Sequence, residues 1–335
     1  MANDSIYIRG VGSALAARLP ISGAVAAGQC PPEIAEGTGL ESVAVSDYES
    51  GVELAAAAAR AALTDAAVDP ARIDLLAHSN VYYQGHDLWS PSAYIQRETG
   101  AVDAVAVEVR QMSNGGMAAI DLAAAYLSAR GGDLALVTTG DRFALPGFNR
   151  WISDSGTIYG DGGTALILSR TAGFAAFRSF VQSADASLEA MHRGDDPFGV
   201  APFSIRERVD LDPLKKAFLA EAHVLSTVEK VRRGQERVIA RSLDDAGVKI
   251  SDIDWFVLPH FGSRRLRSTF LRPFGIDIER TTWNVARTVG HLGAGDQIAG
   301  LAHLRAGNLL RTGDAVLLAG VGAGFSWSAA VAEIL

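Results

Sequence analysis

Cysteine is almost missing from this sequence: Cys30, in a Gly-Gln-Cys-Pro-Pro stretch that reads as a loop, is the only one. One thiol makes neither an internal disulfide framework nor a cysteine-rich zinc site, so no metal centre is expected. Lysine is nearly as rare, with four in 335 residues, and arginine carries most of the positive charge. A formal net charge of −8 leaves no global basic field to attract phosphates, which argues against nucleic-acid binding. No run of about 18 apolar residues occurs, so no membrane span is expected. The opening stretch from Met1 to Ile8 lacks the basic and then apolar segments of a secretory leader. These absences make a soluble cytoplasmic protein the expectation. What is abundant is apolar. Hydrophobic residues make up 48% of the chain and charged ones 20%, which suits a large core and excludes a disordered chain.

The chain is written twice. Within 51–79 an Ala-rich helical stretch leads through Val68-Asp69-Pro70 to Ile73-Asp74-Leu75-Leu76-Ala77-His78. A second helical stretch passes Ile239, Leu243 and Gly247 and leads to Ile253-Asp254-Trp255-Phe256-Val257-Leu258-Pro259-His260. Downstream, an apolar strand over Val105 to Val109 leads to Ser113-Asn114-Gly115-Gly116, a helix, Gly132-Asp133 and another strand. In the second copy Trp283 to Val285 leads to Gly290-His291-Leu292-Gly293-Ala294-Gly295-Asp296, a helix, Gly313-Asp314 and a strand. Ile73 aligns with Ile253 and Asp133 with Asp314, offsets of 180 and 181 residues (253 − 73 and 314 − 133). Each copy closes on a Gly-rich turn and one more strand.

This rhythm predicts an α/β fold of mostly parallel sheets covered by helices. It divides the chain into an N-terminal half (1–170), an unmatched excursion (171–225) and a C-terminal half (226–335). The excursion is either a cap over the site or an ordinary surface segment. Ligands in open α/β sheets gather at the carboxyl ends of strands. Ser113 and His291 fall in equivalent turns, so a pseudo-dyad should bring them together.

Ser113 stands between what reads as a buried strand, Val105 to Val109, and an Ala-rich helix, beside two glycines that permit close backbone approach. On local sequence a helix cap explains it better than a nucleophile does. Asp296, five positions after His291, suits either a carboxylate that orients an imidazole or a helix-dipole partner. His260, at the end of its strand, either faces the same crevice or supports it from behind.

At Tyr159-Gly160-Asp161-Gly162-Gly163-Thr164-Ala165, Leu258-Pro259-His260, Gly290-His291 and Gly320-Val321-Gly322-Ala323-Gly324-Phe325-Ser326, the whole chain resembles the ketoacyl synthase III branch of the thiolase superfamily. The resemblance implies a thiolase-like five-layered α-β-α-β-α sandwich, built from two duplicated halves and working as a homodimer. It also implies an acyl-CoA or acyl-phosphopantetheine carrier as substrate and no tightly bound cofactor. Condensing members of that family carry a cysteine nucleophile where this chain has Ser113, and an asparagine where it has His291. They keep the histidine at the position of His260.

The two departures are chemically consistent, because a serine hydroxyl needs the base that a thiol can do without. Together with Asp296 they form a Ser-His-Asp set, Ser113-His291-Asp296. The pattern is similar to the ketosynthase-III-like acyltransferases of natural-product pathways such as polyketide and antibiotic biosynthesis. These move an acyl group to a hydroxyl, amine or carrier thiol without condensation. The backbone N–H groups of Ser113 and of the turn ending in Gly324 are the expected oxyanion hole. Arg264, Arg265 and Arg267 are the expected contact for the acyl carrier protein or CoA, or else an ordinary solvated helix face. His192 either reaches the site from the excursion or is a surface histidine, and the surface is the expectation. The alternatives are selection of a starter unit to prime a polyketide synthase, and a non-catalytic partner subunit of a ketosynthase. A nucleophile-elbow hydrolase is disfavoured, since no Gly-x-Ser-x-Gly surrounds Ser113.

Overall fold

The computed structural model describes residues 5–335; Met1–Asp4, where the leader reading begins, lie outside the described residues. The first copy contributes β1 (Tyr7–Leu15), β4 (Leu75–Ser79), β5 (Val105–Val109), β6 (Leu134–Asp141) and β7 (Gly162–Ser169). Between β1 and β4 in the chain, β2 (Ala17–Pro20) and β3 (Ser42–Val45) form a small separate pair. The second copy contributes β8 (Ala175–Ala184), β9 (Trp255–Val257), β10 (Ala315–Gly322) and β11 (Ser326–Ile334). The strand order β5-β4-β6-β7-β1 is mirrored by β9-β10-β11-β8. The halves join where Tyr7 and Ile8 pair with Ala176 and Ala175.

Alternation along these strands creates the layers, because successive side chains point to opposite faces. In β6, Ala135 and Val137 join one core while Leu134 and Leu136 join another. In β10, Val316 and Leu318 share that first core, and Leu317 and Ala319 enter a third. The shared core also holds Ile120 and Leu127 of the helix Gly115–Arg130 and Ile298 and Leu301 of the helix Asp296–Ala306. Those two helices therefore lie between the sheets: Asp296–Ala306 is buried nearly all round, and Gly115–Arg130 is buried from Gly115 to Ile120 and opens partly to solvent beyond. The helix Gly51–Ala66 covers the first half from outside, and Val224–Ala246 covers the second. Helix, sheet, helix pair, sheet, helix is the five-layered sandwich. Each fully buried Leu, Ile or Val in it contributes about 1.5–3 kcal/mol.

Four expectations need correction. Among the described strands, parallel pairing joins only β4/β5, β4/β6 and β9/β10; the other strand pairs of the large sheet are antiparallel. A helical crossover precedes β5 and β6, whereas β10 meets β11 through a tight turn, which only antiparallel neighbours permit. Trp283 to Val285, read as a strand by analogy with the first copy, opens the helix Trp283–Val289, and only Thr281 bridges to Phe256 at that edge. The strand β5 is a half-exposed edge with Val105 and Val107 open to solvent. Finally, the excursion begins after Ala184, because β8 is the second-half counterpart of β1 and pairs with β11 throughout its length.

Candidate active site

A positive φ of 50° at Met112 turns the chain sharply out of β5. This left-handed conformation is costly for a non-glycine residue and is met most often where function requires it. The turn places half-buried Ser113 just before the helix Gly115–Arg130. Asn114 behind it is buried, donating from its amide to Gln111 Oε1 and to Ser328 Oγ at 2.8 Å. The counterpart turn, Gly293–Gly295, opens the helix Asp296–Ala306. The two turns meet because Gly116 has no side chain: a Cβ there would stand 2.3 Å from Ala294 O.

Across this contact Ser113 Oγ lies 2.9 Å from His291 Nε2. His291 Nδ1 lies 2.6 Å from Asp296 Oδ2. Asp296 also accepts the backbone N–H of Leu292 at 2.8 Å on Oδ1 and that of His260 at 2.8 Å on Oδ2. Burial pushes this carboxyl up, but His291, His260 and the backbone donors outweigh it and hold it below the ordinary aspartate value. An ionised carboxylate only accepts, so the imidazole proton sits on Nδ1. The lone pair of Nε2 is thereby turned toward the serine hydroxyl.

The Tyr159–Gly163 motif explains why His291 is held so firmly. His291 N–H donates to Ile158 O at 3.0 Å, and Gly160 N–H donates to His291 O at 2.9 Å. Gly160 permits this, since a Cβ would meet Val289 O at 2.0 Å. Next to it, buried Asp161 takes both arms of Arg150 at 3.0 and 2.8 Å. Asp161 also accepts the N–H groups of Ser46 and Phe143. The neighbouring turn is fixed from below by Asp141, whose carboxyl accepts from Val81 and Tyr82 N–H and is pushed up to about 7 by burial.

The cavity that contains Ser113 and His291 has a volume of about 270 Å³. A larger cleft of about 620 Å³ beside Cys30, Arg142 and Trp151 holds neither residue, so volume is a poor guide here. His260 is absent from the lining of the smaller cavity and sits behind Asp296. Its Nδ1 donates to Gly290 O at 3.1 Å, and burial holds the ring below the ordinary histidine value, hence neutral. Gly324 is exposed and also outside the lining, whereas Gly322, Ala323 and Phe325 of the same turn are in it.

Of the arginine group, Arg264 and Arg267 are exposed. Arg265 instead turns inward to Asp154 at 3.3 Å and Thr157 Oγ1 at 2.6 Å. His192, expected at the surface, lines the cavity with Met191 and Lys215, and all three come from the excursion. Sequence reasoning passed over Asp154, Lys215, Gln235 and Phe261, which line the same cavity. The rarity of lysine was the one available signal for Lys215. Among the described residues no helix is long and apolar enough to cross a membrane, and no cluster of three metal-binding side chains occurs.

A family model for the C-terminal part of 3-oxoacyl-[acyl-carrier-protein (ACP)] synthase III matches residues 243–334. The beta-ketoacyl-[acyl-carrier-protein] synthase III of Brucella anthropi is 28% identical, over 96% of this chain and 97% of its own. Among solved structures, ChlB3, described as an acyltransferase, is 31% identical with a TM-score of 0.93, over 99% of this chain and 98% of ChlB3. The FabH 3-oxoacyl-(acyl carrier protein) synthase III of Pseudomonas aeruginosa PAO1 shares the fold, with a TM-score of 0.80 at 21% identity over 99% of both chains. With the duplicated sandwich and the paired turns already in place, the chain belongs to the FabH-like ketoacyl synthase III family of thiolase-fold transferases.

Proposed function

We propose that this chain is a cytoplasmic acyltransferase of specialised metabolism that carries its acyl group on Ser113 and forms no carbon–carbon bond. The observation that carries this reading is the hydrogen-bonded line Ser113 Oγ, His291 Nε2, His291 Nδ1, Asp296 Oδ2, with spacings of 2.9 and 2.6 Å. His291 takes the proton of Ser113 as Oγ attacks the carbonyl carbon of an acyl thioester on an acyl carrier protein or CoA. The imidazolium formed is stabilised by Asp296. The carbonyl oxygen becomes an oxyanion, held by the N–H of Ser113 at the start of a 16-residue helix and by Ala323 in the place expected for Gly324. The C–S bond then breaks, and His291 returns the proton to the leaving thiolate. An acceptor hydroxyl, amine or carrier thiol gives its proton to His291 and attacks the acyl-serine; the bond from the acyl carbon to Ser113 Oγ then breaks, and His291 returns the proton to Oγ.

His260 is a positioning residue in this scheme. Its ring proton is committed to Gly290 O, so a neutral ring offers no proton at Nε2 to an enolate. That feature, with serine at the nucleophile position, favours transfer over decarboxylative condensation. ChlB3, the acyltransferase at 31% identity, supports the same branch.

Incubation with a panel of acyl thioesters should add the acyl mass to the peptide containing Ser113, read by intact and peptide mass spectrometry. Adduct formation that persists at the wild-type rate in Ser113→Ala would falsify the assignment. We place the carrier at the exposed Arg264 and Arg267. Reversal of both charges is expected to weaken use of a carrier-borne donor about tenfold at low salt, and unchanged carrier-dependent turnover would remove that contact. We place the second copy of a homodimer along β5, an unpaired edge showing Val105 and Val107 to solvent; sedimentation as a monomer would exclude it.

A further inference from the structure

Three charged side chains meet in the wall of the Ser113 cavity. Buried Asp154 accepts Lys215 Nζ at 2.8 Å on Oδ1, while both terminal nitrogens of Arg265 reach its two oxygens at 3.3 Å. Two cations share one carboxylate, so this wall carries a surplus positive charge. The neighbouring His192 does not cancel or add to it, since burial and the field of Lys215 push its ring down to about 4 and leave it neutral. Asp212 acts on Arg265 from outside the cavity lining. Arg265 is locked in place by Thr157 Oγ1 and by the Phe261 ring 5.4 Å away. An ammonium has three donors, and the bond to Asp154 uses one of those on Lys215. A cation with spare donors in a largely enclosed wall favours a ligand oxygen that completes its shell.

The rest of the wall limits size. Tyr159, Phe261 and Phe325 supply flat apolar faces. Behind Tyr159 the rings of Phe143 and Phe148 pack at 4.7 and 4.8 Å, closing the cavity in that direction. A dry cavity of about 150 Å³ suffices for benzene, so about 270 Å³ suits one substituted ring better than an extended chain.

We propose that Lys215, with Asp154 and Arg265, recognises an acidic or hydrogen-bond-accepting oxygen on a compact, ring-sized acyl group delivered to Ser113. This rests on the acyl-serine reading above and adds the class of acyl group to it. The excursion thus contributes a specificity-determining side chain, which explains why it is folded over the cavity.

The test compares acylation of Ser113 by hydroxybenzoyl-CoA, methylbenzoyl-CoA and decanoyl-CoA, followed as mass added per unit time. Hydroxyl and methyl match in size, so their ratio reads the polar contact alone. The hydroxybenzoyl donor should react at least about tenfold faster than the methylbenzoyl donor, and the decanoyl donor slowest. Lys215→Met is expected to bring the hydroxyl-to-methyl ratio near one, and Lys215→Arg to restore most of it. Equal rates in the wild type overturn the inference, and so does an unchanged ratio in a Lys215→Met protein that melts like the wild type. Acylation without discrimination removes this inference and leaves the acyl-serine intact. No adduct from any of the three acyl groups, offered both on CoA and on an acyl carrier protein, removes both.

Discussion

Asp296→Asn is expected to slow the proposed acyl transfer by roughly 10³–10⁴-fold. The reason lies in how many donors this carboxylate serves. Its Oδ2 accepts His291 Nδ1–H at 2.6 Å and His260 N–H at 2.8 Å, and its Oδ1 accepts Leu292 N–H at 2.8 Å. An asparagine has one oxygen and one NH₂ to offer. With NH₂ in the Oδ2 position it faces His260 N–H and drives the His291 proton onto Nε2, where it points at the serine instead of accepting from it. With NH₂ in the Oδ1 position it faces Leu292 N–H and leaves that buried donor unpaired, at a cost of about 1–3 kcal/mol. Both orientations lose, the first through chemistry and the second through the turn that carries His291.

The same carboxylate sets an acid limit. Its pKa in the folded chain lies below the ordinary aspartate value, so its stabilisation is fully present above the unfolded value near 4. That contribution disappears as pH falls through the folded value. The pH dependence of stability below about 4 should therefore be shallower in Asp296→Asn than in the wild type. A variant that transfers acyl groups within tenfold of the wild-type rate would show that His291 needs no carboxylate, and the Ser-His-Asp reading would fail.

The duplication made an α/β fold of two halves legible, with Ser113 and His291 in facing turns, and the family resemblance supplied the five-layered sandwich and the Ser-His-Asp reading. Ser113 and His291 have unremarkable local sequences, and only the repeat puts them in facing turns. The spacing of Asp296 left an imidazole partner and a helix-dipole partner equally open, and the 2.6 Å contact to His291 Nδ1 shows that it meets the imidazole. What the sequence left hidden depends on contacts between segments far apart. Arg265 reads like its exposed neighbours Arg264 and Arg267, and nothing local reveals that Asp154, more than a hundred residues earlier, draws it inward. His192 lies in the unmatched excursion, where no second copy indicates which way it faces. For β5 the apolar pattern suggested a buried strand, yet an edge that awaits a partner has the same composition. Gly324 was assigned by motif, whereas the path of the turn puts Ala323 in the cavity wall.

Gly116→Ala should lower acyl transfer about 100-fold, because the distance across the two turns depends on this glycine having no side chain. The added methyl would meet Ala294 O at 2.3 Å and Thr139 Cγ2 at 3.2 Å. Ala294 O is backbone and cannot rotate away, so the helix Gly115–Arg130 or the turn Gly293–Gly295 must shift. The turn has little freedom. Gly293 lies in the left-handed region at φ +63°, and a Cβ there would stand 2.4 Å from Asp141 Oδ2. Movement therefore falls on the Ser113 side and lengthens the 2.9 Å contact to His291 Nε2. A shift near 1 Å takes the serine out of reach of its base, which is a loss of about 100-fold. Overpacking at this site should also cost about 1–3 kcal/mol of stability, read as a fall in denaturation midpoint at unchanged slope. Ser113→Ala provides the comparison, since it removes the nucleophile without adding volume and should keep the wild-type midpoint. A Gly116→Ala protein with wild-type turnover would mean that the two half-site turns need not be in contact for the base to reach the serine.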